Sequence, residues 1–207
     1  MHADMNKPFV IALLGAESTG KTQLAQALAD ALRADDLTVQ IVTEHLREWC
    51  DDHRRVPQQS EQPAIAKAQS DRILAASGSG CAVVIADTTA LLTAIYSDLL
   101  FGDSALYATA LEAQRRFDLT LLMGLDLPWV ADGLQRDGPQ SRPPVDARLR
   151  TVLAQGQVPF QVVYGNGPAR LQNALNAIDS IAGGAGGTSA KALFTSKTAW
   201  AWNCEKC

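Results

Sequence analysis

The apolar run Phe9-Val10-Ile11-Ala12-Leu13-Leu14 leads directly into Gly15-Ala16-Glu17-Ser18-Thr19-Gly20-Lys21-Thr22. That string in turn opens a stretch with Leu24, Leu28, Ala31 and Leu32 at helical spacing. A Gly-x-x-x-x-Gly-Lys-Thr string between a buried strand and an amphipathic helix is the signature of a phosphate-binding loop. Gly15 and Gly20 permit backbone angles that a side chain would block. The loop N–H groups can then turn inward around phosphate oxygens, and the start of the helix adds its positive end. Residues Gly15, Ala16, Glu17, Ser18, Thr19, Gly20, Lys21 and Thr22 are therefore expected to cradle ATP. The Lys21 ammonium is expected against the β- and γ-phosphates, and the Thr22 hydroxyl on Mg²⁺.

Short apolar runs alternate with longer amphipathic stretches along the rest of the chain. Strands are predicted at Phe9–Leu14, Val39–Thr43, Cys81–Ala86, Leu119–Met123 and Phe160–Tyr164. Helices are predicted at Gly20–Ala34, Glu44–Asp52, Gln62–Ala76, Thr89–Leu100, Ser104–Arg116, Val145–Gln155 and Pro168–Ala182. Unbroken apolar strands separated by helices indicate a five-stranded parallel sheet covered on both faces, an α/β fold of the P-loop NTPase class. The Pro- and Gly-rich segment 128–144 reads as an irregular lid. Residues 1–182 read as the ATP-binding domain, and Gly183-Gly184-Ala185-Gly186-Gly187 opens a flexible tail over 183–207.

Strand ends face the ligand crevice in such sheets. Asp87 closes the third apolar run and is expected to serve Mg²⁺ or act as a base; a helix N-cap is the competing reading for the Asp87-Thr88-Thr89 run. Glu44 follows the second strand at the same rim and is placed to accept a proton from a substrate hydroxyl. Arg47 and Glu48 follow, read equally as a solvated ion pair or as substrate contacts. The lid carries Arg136 and Arg142; a closing guanidinium there would neutralise charge in a phosphoryl transition state, the alternative being a solvated surface charge. No lysine occurs between Lys67 and Lys191, so every fixed cation between them is an arginine. Trp49 and Trp129 lie near these sites and can stack on a flat ring or pack in the core.

Of the 207 residues 47 % are hydrophobic, and 18 basic side chains face 22 acidic ones for a net charge of −4. Neither nucleic acid nor a membrane surface is expected as partner. No apolar run of transmembrane length occurs. Four cysteines are scattered at 50, 81, 204 and 207, the usage of a reduced protein, and a cytoplasmic location is expected. The Cys204-x-x-Cys207 pair lacks two further ligands for a zinc site and reads as part of the tail.

The chain resembles the ribosylnicotinamide kinase domain of NadR-type proteins and, more broadly, AAA-like P-loop ATP-binding proteins. The resemblance covers roughly residues 8–180. It rests on the phosphate loop, Glu44 with Arg47-Glu48, Ile85-Ala86-Asp87-Thr88, Phe117-Asp118-Leu119 and, most specifically, Asp126-Leu127-Pro128-Trp129-Val130-Ala131-Asp132-Gly133-Leu134. It implies a nucleoside-kinase-like sheet and ATP-dependent phosphorylation of a nucleoside 5′-hydroxyl, with nicotinamide riboside as the family's substrate. Lys21 and Thr22 would serve ATP and Mg²⁺, Asp87 metal or base chemistry, and Glu44, Arg47, Trp129 and Asp132 the substrate. Two departures stand out. Fourteen residues precede Gly15, too few for the adenylyltransferase domain of NadR-type proteins, and Thr89 stands where that family commonly has an acid. The competing function is a non-catalytic ATP-binding module acting through a protein partner. A guanine-specific GTPase is disfavoured because no Asn-Lys-x-Asp string occurs.

Overall fold

Six consecutive apolar residues, Phe9–Leu14, form β1, and all six are buried. A strand buried on both faces must lie in the middle of a covered sheet. A computed structural model describes residues 7–131 and 138–182 and places it there. The other strands are β2 (Val39–Val42), β3 (Val83–Asp87), β4 (Leu119–Met123) and β5 (Gln161–Val163). Their order is β2-β3-β1-β4-β5, and every adjacent pair is parallel. The helices are α1 (Lys21–Ala34), α2 (His45–His53), α3 (Gln62–Ser77), α4 (Ala90–Phe101), α5 (Tyr107–Gln114), α6 (Arg142–Gln155) and α7 (Pro168–Ala182).

Alternation along β1 divides the core. Ile11 and Leu13 face Leu24, Leu28 and Leu32 of α1 and Ala174 and Ile178 of α7. Leu14 faces Leu91 and Ile95 of α4 and Leu149 and Leu153 of α6, while Val10 faces Ile73 of α3. One sheet face is thus covered by α1 and α7, the other by α3 to α6. Leu28 is fully buried, and removing its side chain would cost about 2–5 kcal/mol.

This order creates the crevice. From β1 the chain passes beyond β3 to make β2; from β3 it passes back beyond β1 to make β4. Chain departures in opposite directions from neighbouring strands leave the space above β1 and β3 open to a ligand.

Some expected strand ends shift by one or two residues, β3 running Val83–Asp87 and β5 only Gln161–Val163, and two helices depart further. Helix α6 begins at Arg142, so the last three residues of the expected lid are helical. Pro143 and Pro144 do not prevent this, because the first helical turn needs no N–H partner. Helix α5 is shorter than predicted, starting at Tyr107. The expected tail over 183–207, with Cys204 and Cys207, lies outside the described residues, as do Asp132 and Arg136. Among the described residues no helix is long and apolar enough to cross a membrane.

Candidate functional site

The loop between β1 and α1 is held in shape by its own chain. Thr19, fully buried, donates from its hydroxyl to the Ala16 carbonyl at 2.7 Å. Gly15 lies so close to β4 that a Cβ there would stand 2.8 Å from Met123 Cβ. Gly20 has φ 76° and is the N-cap of α1, whose first turn carries no acidic residue and no side-chain cap. The helix start therefore presents its amides and positive dipole end to the crevice. Lys21 is 7 % exposed, and its Nζ donates to the carbonyls of Gly15 and Ala16, each at 3.0 Å. The ammonium is thus fixed across the mouth of the loop.

Asp87, at the end of β3, pairs in register with Leu13 of β1. Its Oδ2 accepts a hydrogen bond from the Thr22 hydroxyl at 2.6 Å. Asp87 is 2 % exposed, and its Oδ1 is buried with no hydrogen-bond partner. A buried carboxylate oxygen without a partner beside a threonine hydroxyl fits a magnesium site, since that ion takes only one or two carboxylates from a protein and fills its other positions with waters and phosphate oxygens. The N-cap of α4 is Thr89, whose hydroxyl accepts from Leu91 N, so Asp87 has no capping duty. Between them Thr88 has φ 86°, a region that a β-branched residue occupies only under strain.

Gln69 of α3 joins the two rims. Its Oε1 accepts from His45 N at 2.7 Å, and its Nε2 donates to the carbonyls of Thr43 and Thr88 at 3.3 and 3.1 Å. The sequence reading did not single it out, because a glutamine within a helix resembles any surface residue until its burial is known.

Beside the phosphate loop lies a cavity of about 180 Å³ lined by Glu17, Lys21, Glu44, Arg47, Gln62 and Tyr96, with Leu46, Cys50, Val56, Pro57 and Leu100 completing its wall. Glu44 caps the start of α2 with extended backbone. Its carboxylate lies 3.7 Å from Arg47 Nη2. Of the Arg47-Glu48 run, Arg47 thus pairs with Glu44 and Glu48 with Arg72. Glu48 accepts from Thr43 Oγ1 and Arg72 Nη1, each at 2.5 Å, and these bonds, that from Thr43 first, hold its carboxyl below its ordinary value. A larger groove of about 910 Å³ lies between α3 and α5 near Val10 and Asp118, with no phosphate-loop residue in its wall.

Phosphate-loop side chains touch residues on both sides of the undescribed stretch 132–137. Ser18 Oγ accepts from Val130 N at 2.8 Å, and the Ser141 hydroxyl donates to Glu17. Trp129, half-buried, is therefore beside the loop, and its Nε1 is buried without a partner among the described residues. Trp49 is occupied differently: it stacks on His53 at 4.0 Å, with the Arg55 guanidinium 4.8 Å from its ring centre.

Two arginines lie behind the loop. Arg142, considered as a solvated lid charge, is 6 % exposed and donates from Nη1 to the Leu127 carbonyl at 2.9 Å. Starting α6 at this residue turns its side chain inward. Arg170, from α7 and unnoticed in the sequence, donates to the carbonyls of Thr19 and Gly165 and to Asp126 at 2.6, 2.7 and 2.6 Å. Burial pushes its guanidinium below its ordinary value, and Asp126 pulls it back. Asp126 Oδ2 also accepts from Gly165 N at 2.6 Å. Arg170 thus ties Asp126, just after β4, to the phosphate loop at Thr19.

A family model described as an AAA domain (AAA_28) matches residues 10–170. The chain belongs to this AAA domain family. Within it, the chain is 30 % identical over 139 residues to the trifunctional NAD biosynthesis/regulator protein NadR of Salmonella typhimurium, and equally so to that of Escherichia coli. Each match covers 64 % of this AAA domain chain and 33 % of the relative, so the chain spans one third of those proteins' length. A crystal structure of NadR in complex with NR superposes with TM-score 0.70 at 20 % identity, over 86 % of this chain and 51 % of that one. Thymidylate kinase from Ehrlichia chaffeensis superposes with TM-score 0.60 at 14 % identity, covering 85 % of this chain and all of the other. The fold is that of P-loop nucleoside and nucleotide kinases.

Proposed function

We propose that the chain is an ATP-dependent kinase that phosphorylates a nucleoside 5′-hydroxyl, with nicotinamide riboside as acceptor. The observation that carries this reading is the shared cavity of Lys21 and Glu44: a phosphate-loop lysine and a rim carboxylate face one space. A nucleotide-binding module that acts only through a partner needs no acceptor space beside its lysine. The likeness to NadR, solved with NR and with NAD and AMP-PNP, favours a nicotinamide-bearing acceptor.

The residues divide the work as follows. The loop amides from Gly15 to Thr22 and the start of α1 hold the ATP phosphates, and Lys21 releases the Gly15 and Ala16 carbonyls to meet them. Thr22 and Asp87 Oδ1 would hold Mg²⁺, which would supply positive charge to offset that of the phosphates. Glu44 accepts the proton of the acceptor hydroxyl as it attacks, and the nearby Arg47 orients that carboxylate. Trp129 and Asp132 are assigned to the acceptor from the segment after β4, and Arg136 to the charge developing on the transferred group. Positioning and charge stabilisation supply most of the rate in such transfers.

The test is to incubate the purified chain with Mg·ATP and a panel of nucleosides and detect monophosphates by mass spectrometry. Nicotinamide riboside monophosphate is the expected product, absent with Lys21→Ala. ATP hydrolysis that no nucleoside alters, with no nucleoside phosphorylated, would refute the reading.

A further inference from the structure

Gln62 opens α3 and lines the cavity that holds Lys21 and Glu44. It is 2 % exposed, and its Oε1 is buried without a hydrogen-bond partner. Leaving such an oxygen unpaired carries a desolvation cost that a ligand donating to it would relieve. No backbone duty accounts for it, since the turn before α3 is closed by Gln58 and Glu61.

The height of Gln62 above the strands suggests the use. Gln69, seven residues further along α3, bonds Thr43, His45 and Thr88 at the strand rim. Seven helical residues rise about 10 Å, so Gln62 stands about that far above the rim. Lys21 and Glu44 mark the rim end, where the reacting hydroxyl belongs. A nucleoside is about that long, which brings its base to the level of Gln62. The remaining wall there, Val56, Pro57, Tyr96 and Leu100, is largely apolar and suits the faces of a flat ring.

We propose that Gln62 recognises the polar edge of the acceptor's base, its Oε1 accepting from a primary amide N–H₂ and its Nε2 donating to the adjoining carbonyl oxygen. This assignment rests on the nucleoside kinase reading and makes Gln62 the specificity-determining residue within it. A carboxamide matches the side-chain amide in both directions; a carboxylate at the same ring position has no donor for Oε1.

The test compares nicotinamide riboside with its carboxylate counterpart, nicotinic acid riboside, as acceptors for the unsubstituted chain, Gln62→Leu and Gln62→Glu. The unsubstituted chain should favour the amide at least ~30-fold in kcat/KM. In Gln62→Leu the KM for nicotinamide riboside should rise about tenfold while the KM for ATP holds, and the preference should shrink below ~5-fold. Gln62→Glu, which keeps an acceptor oxygen and sets a negative charge against the acid, should widen the preference for the amide beyond that of the unsubstituted chain; if the leucine variant fails to fold, an unchanged preference in Gln62→Glu overturns the assignment. Phosphorylation by the unsubstituted chain without amide preference, or a preference intact in Gln62→Leu, overturns this assignment alone. A chain that phosphorylates no nucleoside overturns the kinase reading and this assignment with it.

Discussion

The Thr22 hydroxyl donates to Asp87 Oδ2 at 2.6 Å, joining the first turn of α1 to the end of β3 across 65 residues of sequence. The bond occupies one oxygen of the carboxylate and leaves the other buried without a hydrogen-bond partner. Asp87→Asn keeps the shape and removes the charge. It should lower kcat about 100-fold and raise the Mg²⁺ concentration needed for half-maximal rate. A magnesium titration of initial rates checks both effects.

Glu44 lines the same cavity as Lys21. Glu44→Gln should reduce kcat by about 10²–10³-fold with little change in the KM for ATP, the mark of a lost proton acceptor. Steady-state rates against each substrate separate the two constants.

Gly15 is a packing constraint as well as a loop residue. In Gly15→Ala the new Cβ would meet Met123 Cβ and Thr19 Oγ1, each at 2.8 Å, so the loop must shift. The variant should lose about 1–3 kcal/mol in denaturant unfolding and bind nucleotide more weakly.

Acidification should loosen the β2–α2 corner. Burial first, and then Arg72, hold the His45 imidazole below its ordinary value of 6.5, with Glu48 and Asp52 opposing. The unfolded chain therefore takes up the proton before the folded one. The stabilising effect is complete above pH 6.5 and is lost as pH falls through the lower folded value. Glu48, also depressed, loses its contribution at lower pH still. Melting temperatures should fall between about pH 7 and pH 5, and fall less in His45→Gln.

The sheet was legible in the sequence because β1, β3 and β4 are continuous apolar runs that only a covered parallel sheet accommodates. The phosphate loop was legible because its glycines and lysine carry meaning at fixed spacing. The strand order was not, since periodicity does not say which strands pair. Gln62, Gln69 and Arg170 also escaped notice. Each is a polar residue on a helix, and only tertiary packing makes it buried. Arg142 was weighed as a solvated charge for the same reason; its burial follows from α6 beginning three residues earlier than the prolines suggested.

The phosphate grip on which the rest depends is tested most directly by calorimetric titration of Mg·ATP into the folded chain and into Lys21→Ala. The expected result is measurable binding to the unsubstituted protein, weakened at least ~10-fold in the variant, as befits loss of a charge-assisted contact. No heat of association at millimolar ligand, or equal affinity in the two proteins, would contradict it.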